Sequence, residues 1–172
     1  MPKENWKKIC VTKRADNYMT SQDVRFTICA VRAEETYPLR AAVLMAGDEE
    51  GSALHGDHAP TTMHFAVRDN ENIVAVASVC KEEQSGVSNA EAWRLRGMAV
   101  HPSVRGLGFG RLLVNLSLRH VREQRGTLLW CTARESAFQF YEMLGFDRDP
   151  IPISMHGRDD MKFYLMQRKI EG

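Results

Sequence analysis

From Val100 to Leu116 the chain reads VHPSVRGLGFGRLLVNL, with Gly106, Gly108 and Gly110 at alternate positions and an arginine on either side, Arg105 and Arg111. Glycine has no Cβ, so backbone N–H groups in such a loop can come close to an anion, and a helix that follows points its positive end at the same place. That combination is the chemistry of a phosphate cradle. It is not a dinucleotide fingerprint: Arg111 stands where the third glycine of G-x-G-x-x-G belongs, and Trp130 stands where an acidic residue would take the ribose hydroxyls. Nor is it a P-loop, because Gly106 is followed five positions on by Arg111 and Leu112 instead of Gly-Lys-Ser/Thr. A nucleotide-dependent oxidoreductase is therefore disfavoured.

The cradle needs elements to hold it. In front lies AWRLRGMAV, a strand whose Gly97 signals a bulge or a close backbone approach. Behind lies a helix from about Gly108 to Arg125, with Leu112, Leu113 and Leu116 as one stripe and Val114, Leu118 and Val121 as another; Gly126 fits its left-handed C′ position. VRFTICAV reads as a strand running near Glu34 into the helix EETYPLRAAVLMAG, with Tyr37, Ala41 and Leu44 on one face and Pro38 near the first turn. MHFAVRD and NIVAVASVCKEE form a hairpin around NEN, and TLLWCT is a short buried strand. A helix with Ala137, Phe140, Tyr141 and Leu144 on one face follows, capped by Thr132 with Glu135 or Ser136 with Gln139. The tail reads as a strand, a proline-marked loop and a last strand. The order is mixed α/β with hairpins, not a regular βαβ array.

Composition sets the bounds. The 172 residues, 44% hydrophobic and 26% charged with a formal net charge of +1, suit one domain with a sizeable core. Lysines and arginines are dispersed and balanced by acids, so no nucleic-acid partner is expected, and no apolar run approaches membrane-spanning length. The segment 1–23 lacks a secretory h-region and reads as an extension ahead of a domain over 24–172. Cys10, Cys29, Cys80 and Cys131 are scattered without a C-x-x-C pair, which fits reduced thiols and a cytoplasmic setting.

Arg105, Gly108 and Gly110 satisfy R-x-x-G-x-G after the strand GMAV, and here the sequence resembles the GNAT superfamily of N-acetyltransferases, whose Q/R-x-x-G-x-G/A signature binds the pyrophosphate of acetyl-CoA. WCTARESAFQFYEMLGF resembles the family's second signature, an alanine, a tyrosine four residues later, then Gly-Phe. The resemblance implies an α/β (α+β) fold: a central mixed, mostly antiparallel sheet of roughly six to seven strands with about four helices, splayed between the fourth and fifth strands. It implies acetyl-CoA as co-substrate, held by Met98, Ala99, Val100, Arg105, Gly106, Leu107, Gly108, Phe109, Gly110 and Arg111, with Arg134 and Ala137 from the second signature. Arg134 departs from the asparagine common at its position.

The coenzyme's diphosphate asks for an anion cradle, which the N–H groups from Gly106 to Arg111 supply with Arg105 and Arg111. Its amide-bearing arm asks for a strand edge, which Met98–Val100 supply if the sheet splays, with an N–H near Met98 or Ala99 as oxyanion donor. The implied reaction is direct attack of an amine on the thioester, with Tyr141 as general acid. The general base is not visible: Glu82, Glu83, Glu91 and His101 lie near strand ends and read chiefly as solvated residues. His55, Asp57, His58 and His64 have metal-ligand types without a scaffold spacing, so no metal is expected. The acids Asp48, Glu49, Glu50 and Asp57 read first as a solvated loop and second as an attractor for a cationic amine. The acceptor is a small-molecule, peptide or protein amine, and a homodimer stays open. A coenzyme A-binding sensor without turnover is the alternative function.

Overall fold

Asn70, at a left-handed φ of 53°, turns β3 (Met63–Asp69) into β4 (Asn72–Lys81), the hairpin expected around NEN. The structure, a computed structural model, describes residues 9–12, 25–84, 88–155 and 160–171. The remaining elements are β1 (Ile9–Thr12), β2 (Arg25–Val31), α1 (Ala33–Leu44), β5 (Ala92–Val100), α2 (Phe109–Glu123), β6 (Leu128–Arg134), α3 (Phe138–Glu142), β7 (Asp147–Ile153) and β8 (Phe163–Lys169). Single 3₁₀ turns stand at Glu50–Ser52, Pro102–Val104 and Glu135–Ala137. Contacts divide the chain into two units, Met1–Ser78 with Gly97–Val114, and Val79–Arg96 with Asn115–Gly172, so β4, β5 and α2 each belong in part to both.

In the first unit the strand order is β1-β2-β3-β4-β5. β2 pairs antiparallel with β1, Ile9 opposite Ile28, and with β3, Phe26 opposite Asp69 and Val31 opposite His64. β1 falls within the segment read as an N-terminal extension; the rest of that segment lies outside the described residues. Leu39, Ala66, Val76 and Ala99 form a core cluster with Val31, Val43, Leu44 and Ile73 against it. α1 buries Ala33, Thr36, Leu39, Arg40 and Ala41, a face rotated from the Tyr37–Ala41–Leu44 stripe expected. The rotation is possible because Asp57 meets the charge of Arg40 inside the unit. Pro38 stands in the helix interior, beyond the first turn.

In the second unit the order is β4-β5-β6-β8-β7. β5 and β6 are the parallel pair, joined through Ala92–Leu128, Trp93–Leu129 and Arg94–Trp130. Among the described residues that ladder goes no further, although both strands do, so the pair splays after Arg94. Counted from Arg25 these are the fourth and fifth strands, and the mixed, mostly antiparallel sheet is the one expected. β6 pairs antiparallel with β8 along seven residues, from Leu128 opposite Lys169 to Arg134 opposite Phe163.

Three local readings are corrected. Arg125, at φ 61°, takes the left-handed position after α2, not Gly126. Gly126 is needed for space, since a Cβ there would stand 2.4 Å from a Val121 methyl and 2.5 Å from Trp93 Cδ1. The helix after β6 is a 3₁₀ turn followed by the five residues of α3, and neither expected capping box forms: β6 extends through Arg134 and carries Thr132, while Ala137 is the N-cap. Pro150 and Pro152 lie in β7 instead of a loop, with the β7–β8 register broken between Arg148 and Pro152. An edge strand tolerates them because its outer N–H positions need no partner.

Candidate active site

The glycine-rich segment lies in the first unit and is pinned at both ends. His101 opens the 3₁₀ turn: its backbone N–H donates to Val74 O at 2.8 Å, and its Nδ1 accepts from Ser103 N at 3.3 Å. Val104 is buried, and Phe109, at the start of α2, is buried edge-on against Phe26 with ring centroids 4.7 Å apart. Between these anchors Arg105, Gly106, Leu107 and Gly108 are exposed. Arg105 Nε reaches back to donate to Val100 O at 3.3 Å.

Gly106 and Gly108 take left-handed φ values of 80° and 87°, and among the described residues, their own chain neighbours aside, no atom lies within 4 Å of the point where either would carry a Cβ. The first-turn N–H groups of α2 have no intrahelical acceptor. Arg111 is exposed on that first turn. A diphosphate fits this arrangement, because its oxygens need clustered donors and clearance from side chains. Gly110 is already helical. Met98, Ala99 and Val100 close β5, with Ala99 buried in the Leu39–Ala66–Val76 cluster.

Beneath β5, still in the first unit, is a polar network that sequence reasoning missed. Arg40, on α1 and fully buried, gives Nη1 to Asp57 Oδ2 at 2.6 Å and to Ser52 O at 3.3 Å. Its Nη2 donates to Asp57 Oδ1 at 3.2 Å and to Ser78 Oγ at 2.6 Å. His64 Nδ1 lies 2.6 Å from Ser78 Oγ, and Nε2 lies 2.9 Å from Asp57 O. A carbonyl only accepts, so Nε2 carries the proton and Ser78 donates to Nδ1: His64 is held neutral. Burial lowers its pKa, and the Arg40 charge adds to that against the opposing Asp57 carbonyl. Asp57 and His64, weighed above as metal ligands, are thus partners of Arg40 and Ser78. Among the described residues no group of three or more His, Cys, Asp or Glu side chains is arranged to hold a metal. Gly97 was the usable signal: the group that approaches its backbone is Arg40.

The second unit holds Arg134, Ala137 and Tyr141. Arg134 ends β6 and Ala137 is half-buried at the start of α3. Tyr141 is buried between Phe140 and Phe146, ring centroids 5.1 and 5.5 Å away, with its hydroxyl hydrogen-bonded to the Cys131 thiol. Burial first, and the thiol second, push the Tyr141 pKa well above the usual tyrosine range. Burial likewise pushes Cys131 up to about 12.

Of the carboxylates weighed as bases, Glu82 and Glu91 are committed elsewhere and Glu83 is exposed. Glu82 accepts from Arg94 at 2.6 Å and from Arg96 at 2.5 Å; burial works to raise its pKa, but the two arginines outweigh it and the net shift is downward. Glu91 pairs with Lys81 at 3.2 Å, and His101 caps its own turn. Of the loop acids, Asp48, Glu49 and Glu50 are exposed while Asp57 is taken up by Arg40.

A mixed sheet whose parallel pair parts after three residues, followed by a glycine turn into a helix, is the architecture of the acetyltransferase (GNAT) family. The family's model matches residues 27–146, and the chain belongs to that family as an acyltransferase of the N-acetyltransferase type. The chain is 27% identical over 128 residues to the uncharacterized N-acetyltransferase YitI of Bacillus subtilis (strain 168), covering 74% of this chain and 86% of that protein. In fold it is similar to the ribosomal-protein-S18-alanine N-acetyltransferase of Escherichia coli, at a TM-score of 0.68 and 19% identity over 86% of this chain and 95% of that one. It is also similar to an aminoglycoside 6'-N-acetyltransferase complexed with coenzyme A, at a TM-score of 0.67 and 16% identity over 84% and 97% of the two chains. Among the described residues no helix is long and apolar enough to cross a membrane.

Proposed function

We propose that this enzyme, through a domain over residues 24–172, moves an acetyl group from acetyl-CoA to the amine of a small molecule, peptide or protein by direct attack. The observation that carries the reading is the pair of left-handed glycines, Gly106 and Gly108, with open space where each side chain would begin. The bound thioester supplies an activated acetyl group. The N–H groups from Gly106 to Arg111, with the Arg105 and Arg111 side chains, hold the diphosphate, and the Met98–Val100 backbone takes the amide-bearing arm. An N–H near Met98 or Ala99 meets the charge that develops on the carbonyl oxygen. Tyr141, whose raised pKa keeps it protonated at neutral pH, gives its proton to the departing sulfur. The amine's proton leaves through water, a route in keeping with Glu82 being held low by two arginines, Glu91 being paired with Lys81 and His101 capping its own turn.

The Tyr141–Cys131 contact favours a second reading of Tyr141 alone, as a packing residue whose hydroxyl is already satisfied. The function itself is tested by thermal-shift titration with acetyl-CoA, NAD and ATP side by side. A ligand at about 100 times its dissociation constant raises stability by roughly 2.7 kcal/mol, about 5–10 °C for a domain of this size. A shift with acetyl-CoA alone supports the reading, and one with NAD or ATP instead overturns it. Binding without transfer to any amine of a broad panel would point to a coenzyme A sensor.

A further inference from the structure

We propose that Arg40 is a positioning residue: its guanidinium, packed under Gly97, sets the path of the Met98–Val100 backbone and so the seat of the coenzyme's amide-bearing arm. The inference rests on the proposal that this chain binds acetyl-CoA. A guanidinium has five N–H donors, and four of those of Arg40 are used, by Asp57, Ser52 and Ser78. The fifth, on Nε, is buried with no hydrogen-bond partner among the described residues and lies 2.5 Å from where a Cβ of residue 97 would stand. The flat edge of the group therefore occupies the volume of the missing side chain. Gly97 has a left-handed φ of 58° inside a strand, so the direction of the next three residues is set there.

The neighbouring residue of α1 completes the fit, because Leu39 packs with Ala99 in one cluster. Helix α1 thus meets the β5 end through Arg40 under Gly97, and its Leu39 shares one core cluster with Ala99. Stability alone does not account for such a residue. A buried ion pair with an unmet donor is commonly no better for the fold than an apolar pair of the same volume, whereas it fixes geometry in two directions at once. Asp57, Ser78 and His64 complete the fixing by leaving the guanidinium one orientation.

The test is the double variant Arg40→Met, Asp57→Asn, which removes both charges together and keeps volume, checked for folding by circular dichroism and thermal unfolding. Two probes are titrated: acetyl-CoA, and 3′-phospho-ADP, which carries the diphosphate without the thioester arm. The expected result is a loss of acetyl-CoA affinity of about tenfold or more with 3′-phospho-ADP affinity unchanged. Equal losses for the two probes, or none, overturn the proposal. Should the double variant not fold, Ser78→Ala keeps the ion pair but frees one edge of the guanidinium, and about a threefold loss confined to acetyl-CoA is expected, from one hydrogen bond; no difference between the probes overturns the proposal here too. Wild-type protein that binds neither probe overturns the coenzyme reading instead, a separate outcome.

Discussion

The Nε atom of Arg40 stands 2.5 Å from the point where a side chain at Gly97 would begin, so each residue dictates the other. Gly97→Ala must displace a fully buried guanidinium that has little room to move and must also hold an L residue at φ 58°. The expected cost is about 2–4 kcal/mol, the sum of overpacking and left-handed strain. Chemical denaturation reads it, and a variant within about 0.5 kcal/mol of wild type would show that the guanidinium yields freely.

Gly108→Ala separates ligand binding from stability. Among the described residues nothing beyond its chain neighbours lies within 4 Å of a Cβ there, so the fold bears the backbone strain of about 1–2 kcal/mol. Acetyl-CoA affinity should fall about tenfold or more, because a methyl group then stands in the cradle. Calorimetric titration against the wild type checks it, and retained affinity would move the diphosphate elsewhere.

Tyr141→Phe removes one hydroxyl and little volume. If Tyr141 is the acid, turnover falls by roughly 10- to 10⁴-fold while coenzyme affinity stays within about twofold. Steady-state kinetics with any competent amine decides between this and packing, for which turnover is unchanged and only a small loss of stability is seen.

Acid should weaken the fold in two stages. Burial depresses the pKa of both His64 and His120, so below the unfolded value of about 6.5 the unfolded chain binds protons that the folded chain refuses, and stability falls as pH falls through that range. Glu35 and Glu82 are also depressed: Glu35 by the Arg32 backbone N–H and the Arg68 charge, Glu82 by Arg94 and Arg96 over the opposing effect of burial. Their contribution is present above the unfolded carboxylate value of about 4.3 and is lost as pH drops below it toward the folded values. Urea midpoints measured from pH 7.5 to 3.5 trace both stages, and His64→Asn should flatten the first.

The glycine-rich turn was legible in the sequence because its signal is local. Gly106 and Gly108 announce a close backbone approach and R-x-x-G-x-G gives the spacing, whereas their left-handed φ values and the anchoring by Val104 and Phe109 appear only in the fold. What was not legible depends on distant partners. Arg40 meets Asp57 and Ser78 only after the chain has folded, and a lone arginine on a helix face reads as solvated until those partners are known. Helix α3 was overestimated for a related reason. The Ala137–Phe140–Tyr141–Leu144 spacing is helical, but pairing of β6 with β8 holds the chain extended as far as Arg134 and leaves the helix fewer residues. The place of Tyr141 on the apolar face was read from spacing and its role only from the resemblance, while its thiol partner was not foreseen, since Cys131 looks like any small core residue.

At the end of the second unit's strand order, β7 exposes Ile151 (69%) and Ile153 (38%), side chains that would suit strand-to-strand association between molecules. Pro150 and Pro152 flank Ile151 and have no N–H to offer an incoming strand. The two prolines leave a greasy border that is a poor template for another strand, so the apolar rim is guarded by backbone that has nothing to donate.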